Sequence, residues 1–167
     1  MSQNRPGAFW RPNPSDVEQI VASTDPSGWG SASVAGYNLL TAALLVQDFG
    51  LAAQLLARGF DVNGNNPGYV TSALSEMCRV GEVDAVAFLL RNSANPNGHN
   101  IEDEAPLHCA IRHNEAMIVR ILLACGANPM QPDLGNRTPV ETCAKNPLIA
   151  GLIQRIAPEI SHSRPIQ

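Results

Sequence analysis

Leu122-Leu123-Ala124-Cys125-Gly126-Ala127-Asn128-Pro129-Met130 carries an apolar run into a glycine and then an Asn-Pro pair, and two further stretches of the chain repeat its paired leucines with part of the stop that follows. Its counterparts are Leu55-Leu56-Ala57-Arg58-Gly59-Phe60-Asp61-Val62-Asn63 and Leu89-Leu90-Arg91-Asn92-Ser93-Ala94-Asn95-Pro96-Asn97, so the motif steps by 34 and then 33 residues. A second marker, Leu40, Leu74, Leu107 and Val140, steps by 34, 33 and 33. Two markers with one period define a repeat array, in which each period is one supersecondary unit that buries its apolar face against its neighbours.

The motif also explains how each unit stops. Ile118-Val119 followed by Ile121-Leu122-Leu123 covers a broad helical face, and Gly126 offers the left-handed conformation that ends a helix. Gly59 does the same in the first unit, whereas Ser93 stands there in the second, which predicts a strained or looser helix end. Asn95-Pro96 and Asn128-Pro129 then prevent the helix from continuing, because proline lacks the amide and restricts the residue before it.

Upstream, Ala105-Pro106-Leu107-His108-Cys109-Ala110 matches the pattern Thr-Pro-Leu-His-x-Ala, and Thr138-Pro139-Val140-Glu141 repeats it in part. On these residues the chain resembles the ankyrin-repeat family over roughly Val34 to Ile156. The resemblance implies an all-α solenoid of about four helix-turn-helix repeats. The expected units are 34–66, 67–99, 100–132 and 133–158, the last shortened, with a clipped second helix near Leu148 to Ile156. Residues 1–33 are expected to cap the stack, with a short helix opened by a capping box at Ser15 to Glu18 and an apolar edge of Val17, Ile20 and Val21. Trp10 and Trp29 flank that helix and are expected to cover the end of the array. The tail, 159–167, has no periodicity.

Composition narrows the function classes. The 167 residues are 44% apolar, enough for a sizeable core, and 11 Lys+Arg against 15 Asp+Glu give a net charge of −4. That balance lacks the cationic excess of nucleic-acid or anionic-membrane binders. No apolar stretch reaches the roughly 18 residues that span a bilayer, and no secretory signal opens the chain, so a cytoplasmic location is expected. Ten of the eleven basic residues are arginine, a bias suited to a bacterial origin. Cys78, Cys109, Cys125 and Cys143 all lie in apolar helical segments and read as buried, reduced thiols.

Catalytic and metal chemistry are not expected. His108, Cys109 and His113 lie close in sequence, but the equivalents of His108 in the other units are Thr41, Ser75 and Glu141, so no column of ligands runs through the stack. The resemblance implies instead that His108 braces a turn through backbone. Glu102-Asp103-Glu104 are three adjacent acids on one turn, which repel one another and read as a solvated tip. No phosphate loop or nucleophile elbow is present, and no cofactor is expected.

What remains is recognition. The resemblance implies that turn tips and the adjoining helix face line up into a concave binding surface. In the first unit this selects Tyr37, Leu45 and Val46; in the second, Tyr69, Thr71, Arg79 and Val80; in the third, Ile101, Glu102, Glu104, Arg112 and His113; in the fourth, Leu134, Arg137 and Lys145. Tyrosine and arginine are enriched at binding hot spots. The expected role is a non-enzymatic protein-binding module, monomeric when free, whose partner presents a basic or mixed-charge surface. An immunity protein neutralising a cognate bacterial toxin, an adaptor, chaperone or host-directed effector, and an accessory to an oxidative-stress enzyme are the specific forms that role takes.

Overall fold

The computed structural model describes residues 11–25, 28, 32–66, 71–98 and 105–156, with the Lys145 side chain excluded. Its elements are α1 (Pro14–Ser23), the strands β1 (Ser33–Val34) and β2 (Tyr37–Asn38), and then helices α2 (Leu39–Leu45), α3 (Phe49–Ala57), α4 (Ala73–Val80), α5 (Val83–Arg91), α6 (Pro106–Arg112), α7 (Ala116–Ala124), α8 (Pro139–Thr142) and α9 (Pro147–Ile156). A 3₁₀ turn, Cys143–Lys145, follows α8.

Helices pair as α2/α3, α4/α5 and α6/α7, and the pairs stack into two layers. The first helices pack in the order α2, α4, α6, α8, and α5, α7 and α9 follow one another in the second layer. Leu55, Leu89 and Leu122, the first leucine of each sequence motif, are fully buried between the layers. Phe49 of α3 and Phe88 of α5 join neighbouring pairs through tilted rings 5.6 Å apart.

The helix starts share one register. Asn38, Ser72 and Thr138 each accept the amide three residues on, from Thr41 at 2.8 Å, Ser75 at 3.1 Å and Glu141 at 3.3 Å. Ala105 occupies the same place before α6 and has no side-chain acceptor to offer. The ends also repeat: Gly59, Ser93 and Gly126 close the second helices with φ of 86°, 68° and 87°. Ser93 therefore carries the left-handed strain that its place in the motif predicts.

A polar ladder ties the hairpin loops together. The Asn63 side chain accepts the Asn95 amide at 2.8 Å, and Asn97, one period later, accepts the Asn128 amide at 2.7 Å while donating to the Gly126 carbonyl at 3.0 Å. Met130 takes the next place and ends the series.

Three expectations change. α1 begins at Pro14 with Asn13 as its cap, its side chain accepting from the Ser15 amide at 3.2 Å, so Ser15 is the second helical residue and not the cap. In the last unit the first helix is the clipped one: α8 has four residues and passes into a 3₁₀ turn, whereas α9 has ten. Cys125 is exposed at the C-cap of α7, while Cys78, Cys109 and Cys143 are buried.

Candidate binding face

The first helices α2, α4, α6 and α8 stack in one layer, and the helix caps fix which side chains share a side of it. The fourth and seventh residues after each cap share a side of the helix. These are Ala42 and Leu45, Glu76 and Arg79, and Cys109 and Arg112.

In the first unit the face is closed by packing. Leu45 is 1% exposed and Tyr37 4% exposed, so neither is a surface contact. Tyr37 lies in β2, and its hydroxyl donates to Oε1 of Glu76 in the next unit at 3.1 Å. Glu76 is itself only 2% exposed, and Arg79 donates to both of its carboxylate oxygens, through Nε at 3.0 Å and through Nη2. Burial alone lowers the pKa of Arg79, but the bonds from its guanidinium to Glu76 outweigh it and hold the group charged above its ordinary value. Tyr37, Glu76 and Arg79 thus form one brace across two units. Sequence reasoning missed Glu76 because an acid in a short helix reads as a solvated residue.

The third and fourth units are more open. Arg112 and His113 are exposed at the end of α6, and His113 donates through Nδ1 to the Cys109 carbonyl at 2.9 Å. Leu134 is 70% exposed at the tip of the last hairpin. That tip is rigid by construction: the Asp133 side chain accepts the Arg137 amide at 2.9 Å, its backbone carbonyl accepts the Asn136 amide at 2.8 Å, and its other carboxylate oxygen takes the Arg137 guanidinium at 3.2 Å. The bond from the Arg137 amide, aided by the guanidinium charge, lowers the Asp133 pKa below the usual carboxylate range. Arg137 remains exposed toward the solvent side of the tip.

Thr71 is half-buried and held by Asn66, whose amide donates to the Thr71 carbonyl at 2.8 Å and whose side chain donates to Oγ1 at 3.2 Å. Val46 and Val80 are partly buried against the core. Lys145 ends the 3₁₀ turn in register with Arg79 and Arg112. Tyr69, Ile101, Glu102 and Glu104, together with Asp103, Trp10, Trp29 and the tail, lie outside the described residues.

His108 has the bracing role its place implies. It is 1% exposed and donates through Nε2 to the Arg137 carbonyl of the next unit at 3.0 Å. Nδ1 is then an acceptor, buried and without a partner. Among the described residues no group of three or more His, Cys, Asp or Glu side chains is arranged to hold a metal ion. Burial raises the thiol pKa of Cys78, with Cys109 and Glu115 adding to the effect, and burial likewise raises that of Cys143.

Comparison with known proteins agrees with this architecture. The family model for ankyrin repeats (3 copies) matches residues 39–133, more than half of the chain, and the chain belongs to the ankyrin-repeat family, a class of protein-interaction modules. It is 32% identical over 83 residues to a putative ankyrin repeat-containing protein of Treponema pallidum, covering 50% of this chain and 28% of that protein. It is 36% identical over 94 residues to human neurogenic locus notch homolog protein 4, covering 48% of this chain and 5% of that one. It is 30% identical over 122 residues to the putative palmitoyltransferase ZDHHC13 of Danio rerio, covering 72% and 18%. The chain therefore spans less than a third of each of these relatives. Among solved structures, the ankyrin repeat domain of Bcl-3, a member of the IkappaB family, superposes with a TM-score of 0.67 at 24% identity, covering 71% of this chain and 52% of that one. That likeness is one of fold. No helix among the described residues is long and apolar enough to cross a membrane.

Proposed function

We propose that the protein is a non-enzymatic binding module that holds another protein on its hairpin face, centred on the third and fourth units. The observation that carries this is Leu134, a large apolar side chain 70% exposed on a hairpin tip that two backbone-directed bonds to Asp133 keep rigid. A rigid apolar anchor loses little conformational entropy on binding, and charged neighbours such as Arg112 and Arg137 form the polar rim expected of a recognition patch. The expected partner has a basic or mixed-charge surface, since Glu102 and Glu104 belong to the neighbouring tip in sequence.

The finer reading is toxin neutralisation in a bacterial cytoplasm by a monomeric immunity protein. One tight surface on a small acidic chain is sufficient for that task, and a tight complex gives near-complete occupancy. Affinity capture from the source lysate with wild-type and Leu134→Asp baits tests the binding role, and co-expression with a toxin encoded beside the gene tests the finer one. A partner held equally by both baits refutes the hairpin-face assignment. Failure to protect from any neighbouring toxin leaves an adaptor role ahead.

A further inference from the structure

We propose that the outer side of the second-helix layer is a second docking surface, and that its occupant is an acidic amphipathic helix of a protein other than the one held on the hairpin face. Counted from the caps Glu82, Glu115 and Asn146, the second, fifth and ninth residues of α5, α7 and α9 share one side of each helix, because they stand three and four residues apart. α5 packs on α7 and α7 on α9, so these places form a grid across three neighbouring helices.

The grid sorts by chemistry. Its second places on α7 and α9 are Met117, 55% exposed, and Leu148, 65% exposed. Single exposed apolar side chains are ordinary on a protein surface, but two in the same register on packed helices make an apolar edge. The fifth and ninth places hold Arg91, Arg120 and Arg155, all exposed. Among the described residues Arg91 and Arg120 enter no ion pair, and Arg155 donates through Nε to the Gly151 carbonyl of its own helix at 3.2 Å. Arg91 and Arg155 stand in last turns, where a cation answers the helix dipole. Arg120 is in mid-helix, so the dipole gives no account of it. The acid of the grid, Asp84, lies in the first turn of α5, about 10 Å along the helix from Arg91. A chain with a net charge of −4 thus gathers three cations beside an apolar edge.

Between edge and cations the floor is low. A methyl group placed on Gly151 would meet nothing within 4 Å, and Ala124 stands between the arginines of the ninth places. This shape admits a helix laid across the layer. Packed helices are about 8–10 Å apart, and a crossing helix returns the same side after seven residues, about 10.5 Å. Its apolar residues can therefore meet Met117 and Leu148 while carboxylates on its flank meet the arginines. An extended segment would find only helices here, with no strand edge to take up its backbone groups.

The test uses the full chain and labelled synthetic peptides, followed by fluorescence anisotropy at low and physiological salt. The first peptide is helical, with leucines seven apart and glutamates along one flank. The second has the same composition with the leucines and glutamates scattered round the helix, and the third carries lysine for glutamate. The first is expected to bind at least about tenfold more tightly than the others, with affinity falling as salt rises. Arg120→Glu and Leu148→Asp should each lose about tenfold of that affinity, while Leu134→Asp, on the hairpin face, should lose none. Arg120 and Leu148 are exposed, so both variants are expected to keep the wild-type circular dichroism spectrum. If Arg120→Glu does not keep it, Arg91→Glu carries the same reading. No binding of the first peptide, equal binding of the scattered one, or an unchanged affinity in the arginine variant overturns the proposal. Tighter binding of a labelled single-stranded RNA or of phosphatidylserine vesicles overturns the choice of a protein helix. Loss of peptide binding in Leu134→Asp would move the site to the hairpin face and overturn it as well.

Discussion

Ala105→Ser is expected to stabilise the domain by supplying two interactions at once. The cap hydroxyls of the neighbouring units show the geometry: Ser72 Oγ donates to Ser75 Oγ at 3.2 Å, and Thr138 Oγ1 donates to Glu141 Oε2 at 3.0 Å. Position 105 stands in the same relation to His108, whose Nδ1 is buried and unpartnered. A serine there can accept the His108 amide as a helix cap, worth about 1 kcal/mol. Its proton can go to Nδ1, which adds about 0.5–1.5 kcal/mol for a buried acceptor no longer orphaned. Ala105 is 2% exposed, so the added oxygen costs some packing energy, and a net gain of about 1–2 kcal/mol is expected. For a domain of this size each kcal/mol raises Tm by about 2–4 °C. Differential scanning calorimetry of a four-protein cycle, wild type, Ala105→Ser, His108→Leu and the double variant, separates the two parts. The full gain should appear only where His108 is present. An equal gain in the His108→Leu background would refute the hydroxyl-to-imidazole bond, and a loss in both would refute the shared cap register.

Other outcomes follow from burial and bonding. Leu89→Ala and Leu122→Ala should cost about 2–5 kcal/mol in urea unfolding; Leu90→Ala, at a half-buried site, should cost less than Leu89→Ala, and the reverse order would put the register in doubt. Asn97→Ala removes bonds to the Asn128 amide and the Gly126 carbonyl and should cost about 1–3 kcal/mol by the same assay. With iodoacetamide near neutral pH, native protein should take one adduct, at Cys125, because burial keeps the other three thiols from reagent and raises the pKa of Cys78 and Cys143; peptide mass spectrometry reads the site. The lowered Asp133 pKa makes its ionised form favour the fold, so its contribution is full above the unfolded value of about 3.9 and is lost as pH falls through the folded value. Asp133→Asn should therefore flatten part of the acid limb of the stability profile, and an unchanged limb would show that the tip does not couple to folding.

The sequence made the array legible because helix caps, glycine ends and core leucines obey one local period. The Asn-Pro pairs and Ser93 could be read for the same reason, since each acts on its own backbone. The brace among Tyr37, Glu76 and Arg79 could not, because Tyr37 meets Glu76 39 residues away and only the stacking of units brings them together. That contact removed Tyr37 from the binding face, and the packing of α2 removed Leu45. The last unit was misread for a related reason: Pro147 starts α9, so the shortening falls on the helix before it. The exposure of Leu134, Arg112 and His113 could be read from register alone, because no neighbouring unit covers their positions.

Site-specific photocrosslinking tests the hairpin face as the protein-binding surface most directly. A benzophenone amino acid replaces Leu134 on the hairpin tip or, in a second bait, Met117, which is exposed on the second-helix layer. Both baits are irradiated in the source lysate and the captured proteins identified. The account predicts one protein crosslinked through position 134, absent from the 117 bait, and competed away by unlabelled wild type but not by Leu134→Asp. A competed crosslink at 117 with none at 134 would contradict it.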